Sequence, residues 1–88
     1  MTEIVLDAIN WQNKFDFYSS YCVATEAPQW FGQNLSAFQD CLRGGICKIT
    51  PDKIIVHNLT RRVKECIGYE FWKSVEEICQ EENVELIY

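Results

Sequence analysis

The run Lys53-Ile54-Ile55-Val56-His57 constrains the fold more than any other stretch of the chain. It is too short for a helix. β-branched residues fill its middle, and it carries no polar alternation. Such a run suits a central strand, covered on both faces, in a sheet of parallel strands. Two further runs have strand character, Glu3 to Ala8 and Val84 to Tyr88. Long segments of helical period separate each from the central run. Strands joined by helical crossovers imply a parallel sheet with right-handed connections.

Between the first two strands, Trp11, Phe15, Tyr18 and Cys22 fall on one helical stripe, so a first helix is expected over Trp11–Cys22. Ala24 to Gln29 is a connection, and Pro28 holds its predecessor extended. A second helix is expected from Gln33 or Asn34 to Arg43, with Asn34 as N-cap and Gly44-Gly45 as stop. Cys47 to Asp52 is a turn around Pro51. Thr60 to Ile67 reads as a weak helix ended by Gly68. A last helix is expected over Glu70 to Glu82, with Trp72, Val75, Ile78 and Cys79 inward. The order is β-α-α-β-α-α-β, a small α/β unit with a three-stranded parallel sheet and about four helices. Its 88 residues suit one domain, 1–88, burying roughly 60–65% of its unfolded surface. Apolar residues make up 48% and aromatics 14%, enough to fold without a metal or disulfides.

The net charge of −5 argues against direct binding of nucleic acid, which needs a basic footprint, and for a basic protein as partner. The five cysteines include no CxxC pair, and a single histidine leaves no zinc spacing. Buried free thiols are the expectation, with no metal and no cofactor. Met1 to Asp7 lacks a basic n-region and a long apolar core, so no signal peptide is expected, and no run is long enough for a membrane span. His57 has no nucleophile that can be placed beside it, and Gly44-Gly45 belongs to no phosphate-binding pattern, so an enzyme is not expected. Glu76, Glu77, Glu81, Glu82 and Glu85 lack the order of a calcium loop and read either as a solvated face or as an interaction surface.

The second helix has the clearest division of faces. Ser36, Gln39, Asp40 and Arg43 share one stripe at i, i+3, i+4, i+7, and Leu35, Phe38 and Leu42 share the opposing one. The latter is the core face. The former faces solvent or a partner, with Asp40 as its one negative charge. Of Trp30 and Phe31, one is expected to staple into the core and Trp30 to stay exposed. An aromatic anchor beside a charge is a common hot-spot arrangement. Gly32 reads as a hinge that needs φ > 0.

The segment Pro28, Trp30-Phe31, Gly32, Asn34-Leu35, Ala37, Asp40-Cys41-Leu42, Gly44 resembles the barstar family of intracellular ribonuclease inhibitors. Chain length and element order agree with it. The resemblance implies a bacterial, cytoplasmic immunity protein that is monomeric and binds its target one to one. Its acidic helix and preceding aromatic loop would enter a basic ribonuclease cleft. Asp40 matches the family's principal aspartate, Trp30 an interface aromatic, and Gly44 the glycine closing the helix. Gly32 and Asn34 match positions that shape the loop and cap the helix, and Glu81 corresponds to an acidic residue of the last helix. Phe31, Ser36, Gln39 and Arg43 complete the implied partner-binding set. This sequence departs from the family where Ser36 replaces a second aspartate, Gln39 a tryptophan and Gly45 another aromatic, and where Arg43 adds a positive charge. These departures point to a ribonuclease other than barnase, such as a toxin domain. The alternative is a barstar-fold interaction or regulatory module that no longer inhibits a ribonuclease.

Overall fold

Lys53–His57 forms the middle strand, β2, of a three-stranded parallel sheet in the computed structural model, which describes residues 2–88. On one side lies β1, Glu3–Asp7, with Ile4 beside Ile54 and Leu6 beside Val56. On the other lies β3, Glu85–Ile87, with Leu86 beside Ile54. The helices are α1 (Lys14–Thr25), α2 (Leu35–Arg43), α3 (Arg61–Ile67) and α4 (Tyr69–Glu81). The element order is the one expected from sequence, β-α-α-β-α-α-β.

The central strand is not covered on both faces. Ile54 and Val56 are buried, while Ile55 is half-buried and His57 exposed. Its neighbours show the same division: Ile4 and Leu6 are buried, whereas Val5 is 51% and Ile87 40% exposed. The cause is topological. The strands lie in the order β1-β2-β3, so the sheet grows in one direction. Two right-handed crossovers that advance the same way put their helices on the same face. A doubly covered sheet needs a reversal of strand order, and none occurs here.

Helix α1, Lys14–Thr25, is shifted from the expected Trp11–Cys22 by three residues at each end. The helix starts after Asn13, whose side-chain oxygen accepts from Phe15 N at 2.9 Å and Asp16 N at 3.3 Å. Trp11 lies before it, in a turn closed by its N–H on Ala8 O at 3.1 Å, and its indole donates to Ser20 Oγ at 2.9 Å. The helix continues past Cys22 to Thr25 and ends at Glu26, in the left-handed region at φ 52°. The inward stripe is Phe17, Tyr18, Tyr21 and Thr25, while Phe15 is 49% exposed and Cys22 half-buried. The other ends move by a residue or two: Ala8 lies beyond β1, α4 begins at Tyr69 and ends at Glu81, and β3 omits Val84 and Tyr88.

Phe17 is the centre of the core. Its ring meets Trp11 at 5.5 Å, Phe38 at 5.5 Å and Phe71 at 5.6 Å between centroids, each close to perpendicular. Edge-to-face pairs contribute about 0.5–1.5 kcal/mol each beyond the area they bury. The cluster fastens α2 and α4 to α1 through Phe38 and Phe71, which fixes the site described next. No helix among the described residues is long and apolar enough to cross a membrane.

Candidate functional site

The site is built on α2 and the loop before it. Asn34 Oδ1 accepts from Ala37 N at 2.8 Å and caps the helix as expected. At the other end Gly44 has φ 99°, and its N–H reaches Cys41 O at 3.0 Å. Gly45 follows at φ 92°. Two successive positive φ values make this a position for glycine and turn the chain sharply away from the helix end.

One face of α2 is core. Phe38, Cys41 and Leu42 are buried, and Leu35 is half-buried. Behind it, Tyr21 Oη donates to Cys41 Sγ at 3.1 Å. Burial, with Cys47 adjacent, pushes the Cys41 thiol up to about 12, so it stays neutral inside the helix packing. The other face is open: Ser36, Asp40 and Arg43 are exposed and Gln39 is half-buried. Trp30 is 74% exposed while Phe31 is buried against Tyr21, the division expected for this pair.

Gly32 is not a positive-φ hinge, since the positive-φ glycines are Gly44, Gly45 and Gly68. Its role is close approach. A Cβ at Gly32 would lie 2.7 Å from Asn34 Nδ2, inside contact distance of the side chain that caps α2. The loop and the helix start are therefore packed as one piece.

The stripe on α2 does not stand alone. Gln39 Nε2 donates to Glu81 Oε2 at 2.9 Å and to Glu82 Oε2 at 3.0 Å. Arg43 Nε donates to Glu82 Oε2 at 3.1 Å, and Arg43 Nη1 lies 3.9 Å from Asp40 Oδ1. The structure thus brings Gln39, Asp40, Arg43 and Glu81 into one polar network and adds Glu82, which the sequence marks only as one member of a general acidic cluster. Within that cluster Glu76 bonds instead to Tyr88 Oη, and Glu85 lies on β3. No pattern in α2 or α4 alone reveals which glutamates meet, because that depends on how the two helices pack.

The arrangement presents carboxylates on a rigid support. Glu82 is held by two donors and has 15% of its side chain exposed, whereas the Asp40 side chain is 56% exposed. Among the described residues its one cation is Arg43, a long, exposed i,i+3 contact of a kind that contributes only about 0–1 kcal/mol. A bidentate cationic partner can replace it at little cost.

His57 lies elsewhere, exposed at the end of β2 and in register with Asp7. The Asp7 carboxylate is already occupied by Asn58 Nδ2 at 2.9 Å and Ile9 N at 3.0 Å, bonds that hold it below its ordinary range. It closes a turn. The cysteines are free: Cys41, Cys47 and Cys79 buried, Cys22 half-buried and Cys66 exposed, the last contrary to the expectation of buried thiols.

Set against known proteins, residues 1–86 match the family model described as Barstar (barnase inhibitor). No curated protein matches the chain.

Proposed function

The chain belongs to the barstar family, an inhibitor family and not a catalytic one, and from that premise we propose that it neutralises a ribonuclease by placing Asp40 in the enzyme's phosphate-binding cleft. The observation that carries this reading is the state of Asp40: exposed, weakly paired, and fixed on a helix capped at both ends. A ribonuclease cleft is basic because it binds phosphate. Its Arg and Lys side chains make charge-assisted hydrogen bonds to a carboxylate that takes the phosphate's place. Trp30 supplies apolar contact beside the charge, and Glu81, hydrogen-bonded to Gln39 from α4, offers a second carboxylate. Gly44 and Gly45 carry no side chain that would keep the enzyme from the helix end. Ser36, Gln39 and Arg43 form the rest of the contact face, with Gly32, Asn34 and Phe31 holding it in shape.

The target is a basic ribonuclease, a secreted enzyme or a toxin domain, bound one to one by a monomer inside the producing cell. The opposite charges of the two proteins speed their encounter. Several features favour an enzyme other than barnase itself. Ser36 lacks a charge, Gln39 is engaged with two glutamates, and Gly45 offers no aromatic surface.

Titration of the purified protein against basic ribonucleases, read as RNA cleavage at two salt concentrations, tests the proposal. Affinity falls as salt rises. Asp40→Ala weakens the inhibited complex by about 2 kcal/mol or more, the cost expected for a desolvated charged hot spot. Equal inhibition by wild type and Asp40→Ala would remove Asp40 from its role.

A further inference from the structure

β1 is an edge strand, and it shares no residue with the α2–α4 face. Thr2 O accepts from Lys53 N at 3.2 Å and Ala8 N donates to His57 O at 2.8 Å. Backbone groups of successive residues alternate in direction along a parallel ladder. Ile4 and Leu6 therefore bond to β2 like Thr2 and Ala8, and Glu3, Val5 and Asp7 turn their N–H and C=O groups to the outer edge. No backbone hydrogen bond fills that edge among the described residues. Beside it runs an open groove of about 470 Å³ between β1 and α1, lined by Val5, Ser19, Ser20, Val23 and Ala24. Val23 is 80% exposed and Val5 51%. An unpaired strand edge next to an apolar groove is the usual setting for addition of an extended segment.

The charges select the occupant. On the open face of the sheet, β1 presents Glu3, Val5 and Asp7 in alternation, acid–apolar–acid, all exposed. A second copy of this chain is a poor match. Antiparallel pairing of two β1 edges centred on Val5 places Glu3 opposite Asp7 of the other copy, and like charges directly opposite destabilise a strand pair. Glu3 has only a long contact with Lys53 Nζ at 3.8 Å, and Asp7 keeps its negative charge while it holds Asn58 and Ile9. A segment reading basic–apolar–basic at every second residue therefore places a cation opposite each acid and an apolar side chain opposite Val5. Its intervening residues face the floor of Ser19, Ser20 and Ala24, which accepts small side chains. We propose that the β1 edge binds an extended, basic–apolar–basic segment of a partner protein as a fourth strand.

The probe is a synthetic Thr-Lys-Thr-Val-Thr-Lys-Thr peptide, blocked at both ends, added at roughly millimolar concentration to the isotope-labelled full chain. Amide shifts and hydrogen-exchange protection are read by NMR. The proposal expects new protection at the Glu3, Val5 and Asp7 amides and none added at Ile54 or Val56. Val5→Pro removes an outward N–H without touching the bonds to β2, and it weakens binding at least about tenfold. Val23→Lys, on a side chain exposed in the free protein, puts a cation in the apolar groove beside the lysines of the peptide and weakens binding without depending on the strand. Absence of protection at β1 overturns the proposal, as does equal binding of a peptide with Glu in place of Lys. A concentration-dependent dimer that Val5→Pro dissolves overturns it in favour of a second copy. Inhibition of a ribonuclease through Asp40 is measured separately, so failure of one surface leaves the other standing.

Discussion

At the scale of single residues, Gly32 matters for the side chain it lacks. A glycine before a capped helix suggests a backbone in the left-handed region. The structure instead uses the missing side chain, because a Cβ would meet Asn34 Nδ2 at 2.7 Å. Asn34 cannot move away freely, since its Oδ1 holds the Ala37 N–H at 2.8 Å. Gly32→Ala is therefore expected to displace the cap, at about 1 kcal/mol, the ordinary cost of losing an N-cap. Urea denaturation of Gly32→Ala, Asn34→Ala and the double variant checks the mechanism. If Gly32 acts through Asn34, the double variant is no less stable than Asn34→Ala alone; simple addition of the two effects points to backbone strain instead. The exposure of Trp30 and Asp40 and the helix stop at Gly44 were legible because each stands in a short local pattern. Glu82 was not, because its partners Gln39 and Arg43 are distant in sequence and meet it only through helix packing.

At the scale of elements, α2 and α1 make a contrast. In α2 apolar and polar residues separate into two stripes, with Asn34 before them and Gly44 after, so period and punctuation agree. In α1 aromatic and aliphatic residues occur around the whole circumference: Phe15, Phe17, Tyr18, Tyr21 and Val23. Several stripes fit such a sequence, and Trp11 extended the wrong one backward. The decisive signal was Asn13, whose capping bonds set the start of the helix and with it the inward face. The register makes a sharp prediction. Phe17→Ala, at the centre of the aromatic cluster, is expected to cost about 3–5 kcal/mol. Phe15→Ala, on a side chain 49% exposed, is expected to stay within about 1 kcal/mol of wild type. Denaturant midpoints of the two variants distinguish this register from the one centred on Phe15, which reverses their order.

At the scale of the whole molecule, the order of strands and helices followed from the spacing of apolar runs, but the coverage of the sheet did not. Ile54-Ile55-Val56 is apolar on both faces, and only the β1-β2-β3 order shows that all crossovers lie on one side. The buried side of that sheet also sets how the protein responds to alkali. Burial pushes the Cys79 thiol from 9.0 to about 12, the Cys41 thiol likewise to about 12, and the Tyr18 phenol to about 12. Each group is neutral in the folded protein where the unfolded chain has already lost its proton. Between about pH 9 and 12 the folded state thus holds more protons, and stability falls as pH rises. Below the unfolded values both states are protonated and these groups add no slope. Urea midpoints are therefore expected to be flat from about pH 7 to 8 and to drop steadily above about pH 9. Cys79→Ala loses packing and lowers the midpoint throughout, yet its decline above pH 9 is shallower by up to about 1.4 kcal/mol per pH unit. An unchanged slope in that variant would mean that the Cys79 thiolate is tolerated within the core, against the cost of placing an unpaired charge among apolar side chains.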